Sequence, residues 1–310
     1  MDSLNRMATE LVDEAIDFAD ELTIDVHALS GDAAVLDFGV EVPGAVEAGM
    51  LLAEIQTAGL ATVQTTMDSV GSAPLTHVEL STDHPALALL CSQKGGWEVA
   101  TDDFEGLGSG PARALVGEED VFQRIGYRED ADFAVLAIES DELPDEAVAG
   151  QIAERTGVPE TAVFMPTFAT ASVTGSVVAA ARAAELAVYR LAELGFDPAE
   201  VLSANARAPM APVAADEASA MARTTDALAY GGEVHLTVDE DFDRFDEVAS
   251  VAGAEYGRPL EGVFDDADWD FGELPVDLFG PAQVTIDVVG GDTHVVGETH
   301  EDVLVESFGL

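Results

Sequence analysis

The chain is poor in positive charge, with twelve Lys and Arg against 61 Asp and Glu, a formal net charge of −49 over 310 residues. Nucleic-acid binders need Lys and Arg to displace counterions from phosphates, so that class is excluded. Anionic membrane surfaces are excluded for the same reason. Only one cysteine is present, Cys91, which rules out an intrachain disulfide and a cysteine-built zinc site. No long apolar run exists either: the stretch from Ser172 to Leu194 is interrupted by Arg182, Glu185 and Arg190, and it cannot span a bilayer. The opening segment is acidic and amphipathic, unlike a secretory leader. A soluble, cytoplasmic protein is expected.

What is abundant is apolar content, 48% of residues, enough for a sizeable core and inconsistent with a disordered polyanion. The acidity is spread along the chain. Eleven of the twelve basic residues are Arg and the single Lys is Lys94. This reads as adaptation to a hypersaline interior, the alternative being an ordinary acidic protein that binds divalent cations. At 0.1 M salt charges interact over about 10 Å, and at 1 M over about 3 Å, so concentrated salt relieves the self-repulsion.

Periodicity predicts alternating helices and strands, an α/β (α+β) class. Helices are expected over Asn5–Glu21, from Glu47, after Pro111, up to Thr156 and over Val177–Leu194. Strands are expected near Thr23, over Ala34–Val40, Leu60–Thr66, His77–Leu80, Trp97–Ala100, Ala131–Glu139 and Ala162–Phe168. Three more are expected at His235–Val238, Gln283–Val289 and Thr293–Val296. The polar turn Ser140–Glu146 suggests a junction between domains of residues 1–145 and 146–310, with C-terminal strands able to return to the first domain.

The glycine-rich segment Gly106–Ala112 (GLGSGPA) could hold an anion at the helix that follows, with Arg113 just inside it, or could be a plain tight connection. It has neither Rossmann nor Walker spacing. The run Asp266–Gly272 (DADWDFG) resembles the start of a calcium loop with its Gly displaced, although such spacings arise by chance in so acidic a chain. The six His are scattered and no nucleophile elbow is present, so no metal site is expected. Lys94, in the loop Ser92–Gly96 (SQKGG), is suited to gripping an anion or is a surviving surface residue. Arg182 and Glu185 share one helical face, which spacing alone reads as a solvated stripe with one ion pair. The hydroxyl-rich loop Thr167–Ser176 precedes them.

Taken in order, several segments resemble archaeal methenyltetrahydromethanopterin cyclohydrolase. They are Thr82–Ala86 (TDHPA), Ser92–Trp97 (SQKGGW), Gly108–Ala114 (GSGPARA), Glu129–Asp132 (EDAD), Glu142–Glu146 (ELPDE), Thr174–Val177 (TGSV) with Arg182 and Glu185 behind it, Glu255–Pro259 (EYGRP) and Asp277–Gln283 (DLFGPAQ). Ser203–Pro212 departs from the glycine-containing form of that family. The resemblance implies two α/β domains with a pterin-binding cleft between them, a homotrimer, and neither metal nor organic cofactor. It implies reversible hydrolysis of the methenyl bridge of a reduced pterin, with the Arg-x-x-Glu pair, here Arg182 and Glu185, in catalysis. The chemistry agrees. The methenyl carbon sits between two nitrogens sharing a positive charge and lacks only a deprotonated water, which a carboxylate supplies. Glu185 is expected to be the base, with Arg182 orienting it and keeping it ionised. Lys94, Arg113 and Arg207 are candidates for anionic parts of the substrate. Ser92, Gln93, Ser109, Thr170, Ser172 and Tyr230 complete the expected binding set. The same chemistry on methenyltetrahydrofolate, or a non-catalytic pterin-binding role, are the alternatives.

The charge balance makes a first prediction. The thermal unfolding midpoint, followed by circular dichroism, should rise continuously as KCl goes from about 0.1 M to beyond about 1 M; a flat or falling midpoint contradicts the salt-adaptation reading.

Overall fold

A computed structural model describes residues 3–310. Its strands, in chain order, are β1 (Asp25–Ala28), β2 (Ala34–Gly39), β3 (Thr62–Val70), β4 (Ala73–Thr82), β5 (Trp97–Ala100), β6 (Glu105–Ser109), β7 (Ala134–Val135), β8 (Ala137–Glu139), β9 (Val163–Phe168), β10 (Val201–Pro209), β11 (Glu233–Val238), β12 (Gln283–Val288) and β13 (Thr293–Gly297). They form two mixed sheets, and the α/β class holds. The chain divides into two compact units, each discontinuous. Unit 1 takes residues up to Thr62 together with Leu87–Val178, and unit 2 takes Val63–Ala86 together with Ala179–Leu310. This differs from a single junction after residue 145. Asp145 does not lie in a linker but N-caps the helix Glu146–Thr156, accepting from the N–H groups of Ala147 and Val148. In so acidic a chain a cap and a linker look alike.

Unit 1 holds the sheet ordered β1-β2-β9-β8-β6-β5, with β7 also pairing β9. β2, β7 and β8 run parallel to β9, while β1 and the β5–β6 pair are antiparallel additions. β2 and β9 are buried along almost their whole length, as parallel central strands are. The core gathers Val35, Trp97, Phe104, Leu136, Ile138 and Met165. The first helix, Leu4–Asp17, is tied to this unit through Asn5, whose amide donates to Pro111 O and accepts from Val135 N–H. Where β2 ends, buried Asp37 accepts from four successive backbone N–H groups, those of Gly39, Val40, Glu41 and Val42. That ring of donors turns the chain toward Pro43-Gly44. Gly44 is at φ +71°, where a Cβ would lie 2.8 Å from Phe38 O.

Unit 2 holds the sheet β13-β12-β11-β10-β4-β3. β11 and β12 are parallel, whereas β10 pairs antiparallel with both β4 and β11. Burial alternates along β11 and β12, the mark of strands with one packed face. The C-terminal strands stay in this unit and do not return to unit 1. Its core includes Tyr230, Leu260, Phe264, Leu278 and Leu304.

Other differences from the sequence reading have physical causes. β10 was not expected, because its inward positions Ala204, Ala206 and Ala208 carry little strand propensity; pairing on both sides holds it. Gly106 and Gly108 are not loop residues but part of β6. A Cβ at Gly106 would lie 2.7 Å from Ile138, and one at Gly108 3.0 Å from Leu136 and Trp97. A π-helical segment, Ala86–Gln93, replaces unassigned chain. The expected helix over Val177–Leu194 is two helices, Val173–Ala180 and Ala183–Leu194, separated at Ala181–Arg182 beside the point where the chain passes from unit 1 to unit 2. No Pro or Gly stands at that break.

Unit 2 contains one weakly compensated buried acid. Asp226, on the helix Glu217–Gly231, accepts from Leu260 N–H at 2.9 Å and Ser307 Oγ at 2.6 Å. Burial pushes its carboxyl up to about 7, with those two bonds pulling the other way and Glu261 adding to the rise. A carboxyl raised in the fold binds more protons folded than unfolded. Its contribution to stability is therefore full below an unfolded value of 3.8 and lost as the pH climbs through about 7. Asp226→Asn should lose this falling component between about pH 4 and about pH 7, read as the difference between variant and wild-type melting profiles in molar salt. Parallel profiles refute the assignment.

Candidate active site

The helix Ala183–Leu194 begins at the break, so Arg182 is its N-cap residue and Glu185 stands in its first turn. The sequence reading of Glu185 as part of a solvated stripe is overturned: the residue is 1% exposed. The helix packs on β10 and β11, and its alanines let the acidic side chain lie in the interior. Arg182 Nε and Nη2 both donate to one oxygen of Glu185, Oε2, at 3.0 and 2.9 Å. The Arg182 side chain is 23% exposed. Both guanidinium bonds fall on the same oxygen. An acid placed at a helix N-terminus also suits the backbone dipole there.

In unit 1 the structure brings Ser92, Gln93, Lys94, Ser109 and Arg113 together. Ser92 Oγ donates to Gln56 O at 2.5 Å, Gln56 Nε2 donates to Ser109 Oγ at 2.9 Å, and Gly110 N–H donates to Ser92 O at 2.8 Å. Gln93 is fully buried beside them in the chain. The π-helical segment is closed by Lys94 N–H donating to Leu89 O at 2.8 Å, an i→i+5 bond of a kind frequent at functional sites.

Lys94 is therefore held at its backbone by the segment it leaves. Its ammonium donates to Gly95 O at 3.0 Å and to Glu119 Oε2 at 3.2 Å. Arg113 is internal, its side chain 1% exposed. Its guanidinium donates to Leu90 O, Ser92 O and both oxygens of Glu119, and it stacks over Phe122. A group so fully engaged supports the Leu90–Ser92 turn. Glu119 loses solvation on burial, but Arg113 and Lys94 outweigh that and hold its carboxyl below the usual range. The helix after Pro111, Ala112–Val116, is a single short turn following a strand, so the anion-loop reading of Gly106–Ala112 gains nothing from the fold.

The hydroxyl-rich loop is also ordered by its own bonds. Thr170 Oγ1 donates to Glu139 Oε1 at 2.5 Å, and Ser172 Oγ donates to Ala169 O while accepting from Gly175 N–H. Tyr230 stands apart as a fully buried core residue of unit 2 whose hydroxyl donates to Arg258 O at 2.7 Å. Arg207 lies on β10 and pairs with Asp68 and Glu233. The Asp266–Gly272 run is a turn with Asp268 and Trp269 at φ 50° and 59°. Within it Trp269 Nε1 donates to Asp265, Asp270 caps Gly272 N–H, and Asp266 pairs with Arg258. Among the described residues no group of three or more His, Cys, Asp or Glu side chains converges as metal ligands would. Sequence reasoning missed Glu119, Gln56 and Glu139. The isolated Lys94 and Arg113 called for an acidic partner, but 61 acidic residues hid which one.

The described residues form two mixed α/β units, and unit 2 carries a buried carboxylate, Glu185, held by the guanidinium of Arg182. The model of the Cyclohydrolase (MCH) family matches residues 3–308. The methenyltetrahydromethanopterin cyclohydrolase of Halobacterium salinarum is 59% identical over 310 residues, spanning both chains completely. The protein of the same name from Methanocella arvoryzae is 40% identical over 317 residues, covering all of this chain and 99% of that one. The chain belongs to the cyclohydrolase family and is a hydrolase. No helix among its described residues is long and apolar enough to cross a membrane.

Proposed function

We propose that the chain hydrolyses the methenyl bridge of a tetrahydromethanopterin-type one-carbon carrier to the N5-formyl form, with Glu185 as the base and Arg182 orienting it. The names of the relatives support the carrier. The observation that carries the mechanism is the burial of Glu185 with both Arg182 bonds on Oε2. A carboxylate held through one oxygen keeps the other for a water molecule.

The methenyl carbon is already electrophilic, since two nitrogens share its positive charge. Glu185 takes a proton from water as the oxygen bonds to that carbon, giving a neutral hydroxylated ring. The carboxyl then delivers this proton to the departing nitrogen as its C–N bond breaks. The hydroxyl proton leaves through the carboxylate to solvent as the formyl C=O forms. Before attack, the negative charge also favours the cationic ligand over the neutral product, an effect that grows where water is excluded. The reaction as written needs no organic cofactor or metal. Lys94 is read as the contact for an anionic part of the carrier, and Arg113 as the support beneath it. The homotrimer and cytoplasmic location expected above belong to this same reading.

General-base catalysis by a positioned carboxylate is worth roughly 10²–10⁴-fold. Glu185→Gln keeps the side chain's shape and an oxygen for Arg182 but cannot take the proton. It should fold normally and lose at least about a hundredfold in kcat, followed through the long-wavelength ultraviolet absorbance of the methenyl form in molar salt. Turnover near wild type rejects the assignment. Running methenyltetrahydrofolate in parallel tests the carrier, and faster turnover of the folate compound overturns that part.

A further inference from the structure

One carboxylate in unit 1, Glu119, serves two cations at once. Its Oε2 accepts from Lys94 Nζ at 3.2 Å and from Arg113 Nη2 at 2.8 Å, and its Oε1 accepts from Arg113 Nε at 2.8 Å. Arg113 is in turn fixed on the carbonyls of Leu90 and Ser92, in the last turn of the π-helical segment from which Lys94 emerges. The room for this carboxylate is made by Gly96, where a Cβ would lie 2.7 Å from Glu119 Oε2. Gly96 is not at a positive φ, so the missing side chain matters here for space and not for backbone conformation.

We infer that Glu119 is a positioning residue: anchored by the buried Arg113, it aims the ammonium of Lys94, the only lysine in the chain, and thereby sets affinity for the anionic part of the carrier. This rests on the reading of Lys94 as a carrier contact. A long, flexible lysine ordinarily surrenders rotamer freedom when it binds a ligand. Here the cost is met in advance by a bond to a carboxylate that is itself held by a forked guanidinium contact. The lowered carboxyl of Glu119 accords with a charge kept in place by both partners.

The single lysine makes the test specific. An amine-reactive acylating reagent can modify only one side chain, Lys94, besides the terminal amine, and peptide mass spectrometry separates the two. In Glu119→Gln the lysine loses its carboxylate partner, and its labelling rate should rise about threefold or more while KM for the methenyl carrier rises roughly five- to tenfold and kcat stays within about twofold, the pattern of lost uniform binding. Gly96→Ala displaces the carboxylate without removing it and should shift KM and labelling the same way, which decides the matter if Glu119→Gln fails to fold. Lys94→Ala separates the two readings. If it leaves KM unchanged, Lys94 is not a carrier contact and the inference falls with that reading. If it raises KM while folded Glu119→Gln and Gly96→Ala leave both KM and labelling at wild-type values, the carrier contact stands and the role of Glu119 is refuted.

Discussion

A carboxylate taken out of water must find fixed donors to replace the solvent, and the more completely it is buried the more exacting that demand becomes. The interior of this protein is organised around that constraint. Asp37 meets it with four backbone N–H groups in succession. Glu119 meets it with a forked guanidinium and an ammonium. Among the described residues Asp226 accepts from one backbone N–H and one hydroxyl, both neutral, and its carboxyl drifts up to about 7. Glu119, its side chain 28% exposed, moves down, while fully buried Asp226 moves up. Fuller desolvation raises Asp226, and the charged donors Arg113 and Lys94 lower the less buried Glu119.

Glu185 belongs to this series but is held differently. Its two donated bonds come from one guanidinium and converge on one oxygen. A structural pair would gain more from spreading the bonds over both oxygens, as Glu119 does with Arg113. On the proposed reading, concentrating them on Oε2 leaves Oε1 for a water molecule. The helix break at Ala181–Arg182 makes it possible, because it places Arg182 at a helix start and Glu185 in the first turn.

The scarcity of positive charge sharpens the same point. With 61 acidic residues and twelve basic ones, most carboxylates remain on the surface, where salt screens them. Lys94, Arg113 and Arg182 are nevertheless all withdrawn from full solvent exposure and matched to one acid each or to a shared one. A uniformly acidic exterior and a few interior ion pairs answer different needs. The first concerns solubility and self-repulsion, the second concerns where a charge can be held still.

Much of this was legible in the sequence. Composition excluded polyanion-binding roles, periodicity found most strands and the α/β class, and ordered short segments pointed to the family that the comparisons established. Arg182 and Glu185 could be named, yet their spacing suggested a solvated stripe, since helical periodicity reports which residues share a face and not what that face meets. Val177–Leu194 read as one helix because nothing local breaks it. β10 was invisible because alanine becomes a strand residue there only by pairing on both sides with β4 and β11. The discontinuous units, the burial of Glu185, the engagement of Arg113 and the bridge from Glu119 to Lys94 were decided by tertiary structure alone. Each depends on residues distant in the chain meeting in space, and in a chain with so many equivalent acids no local pattern can say which one a buried cation will choose.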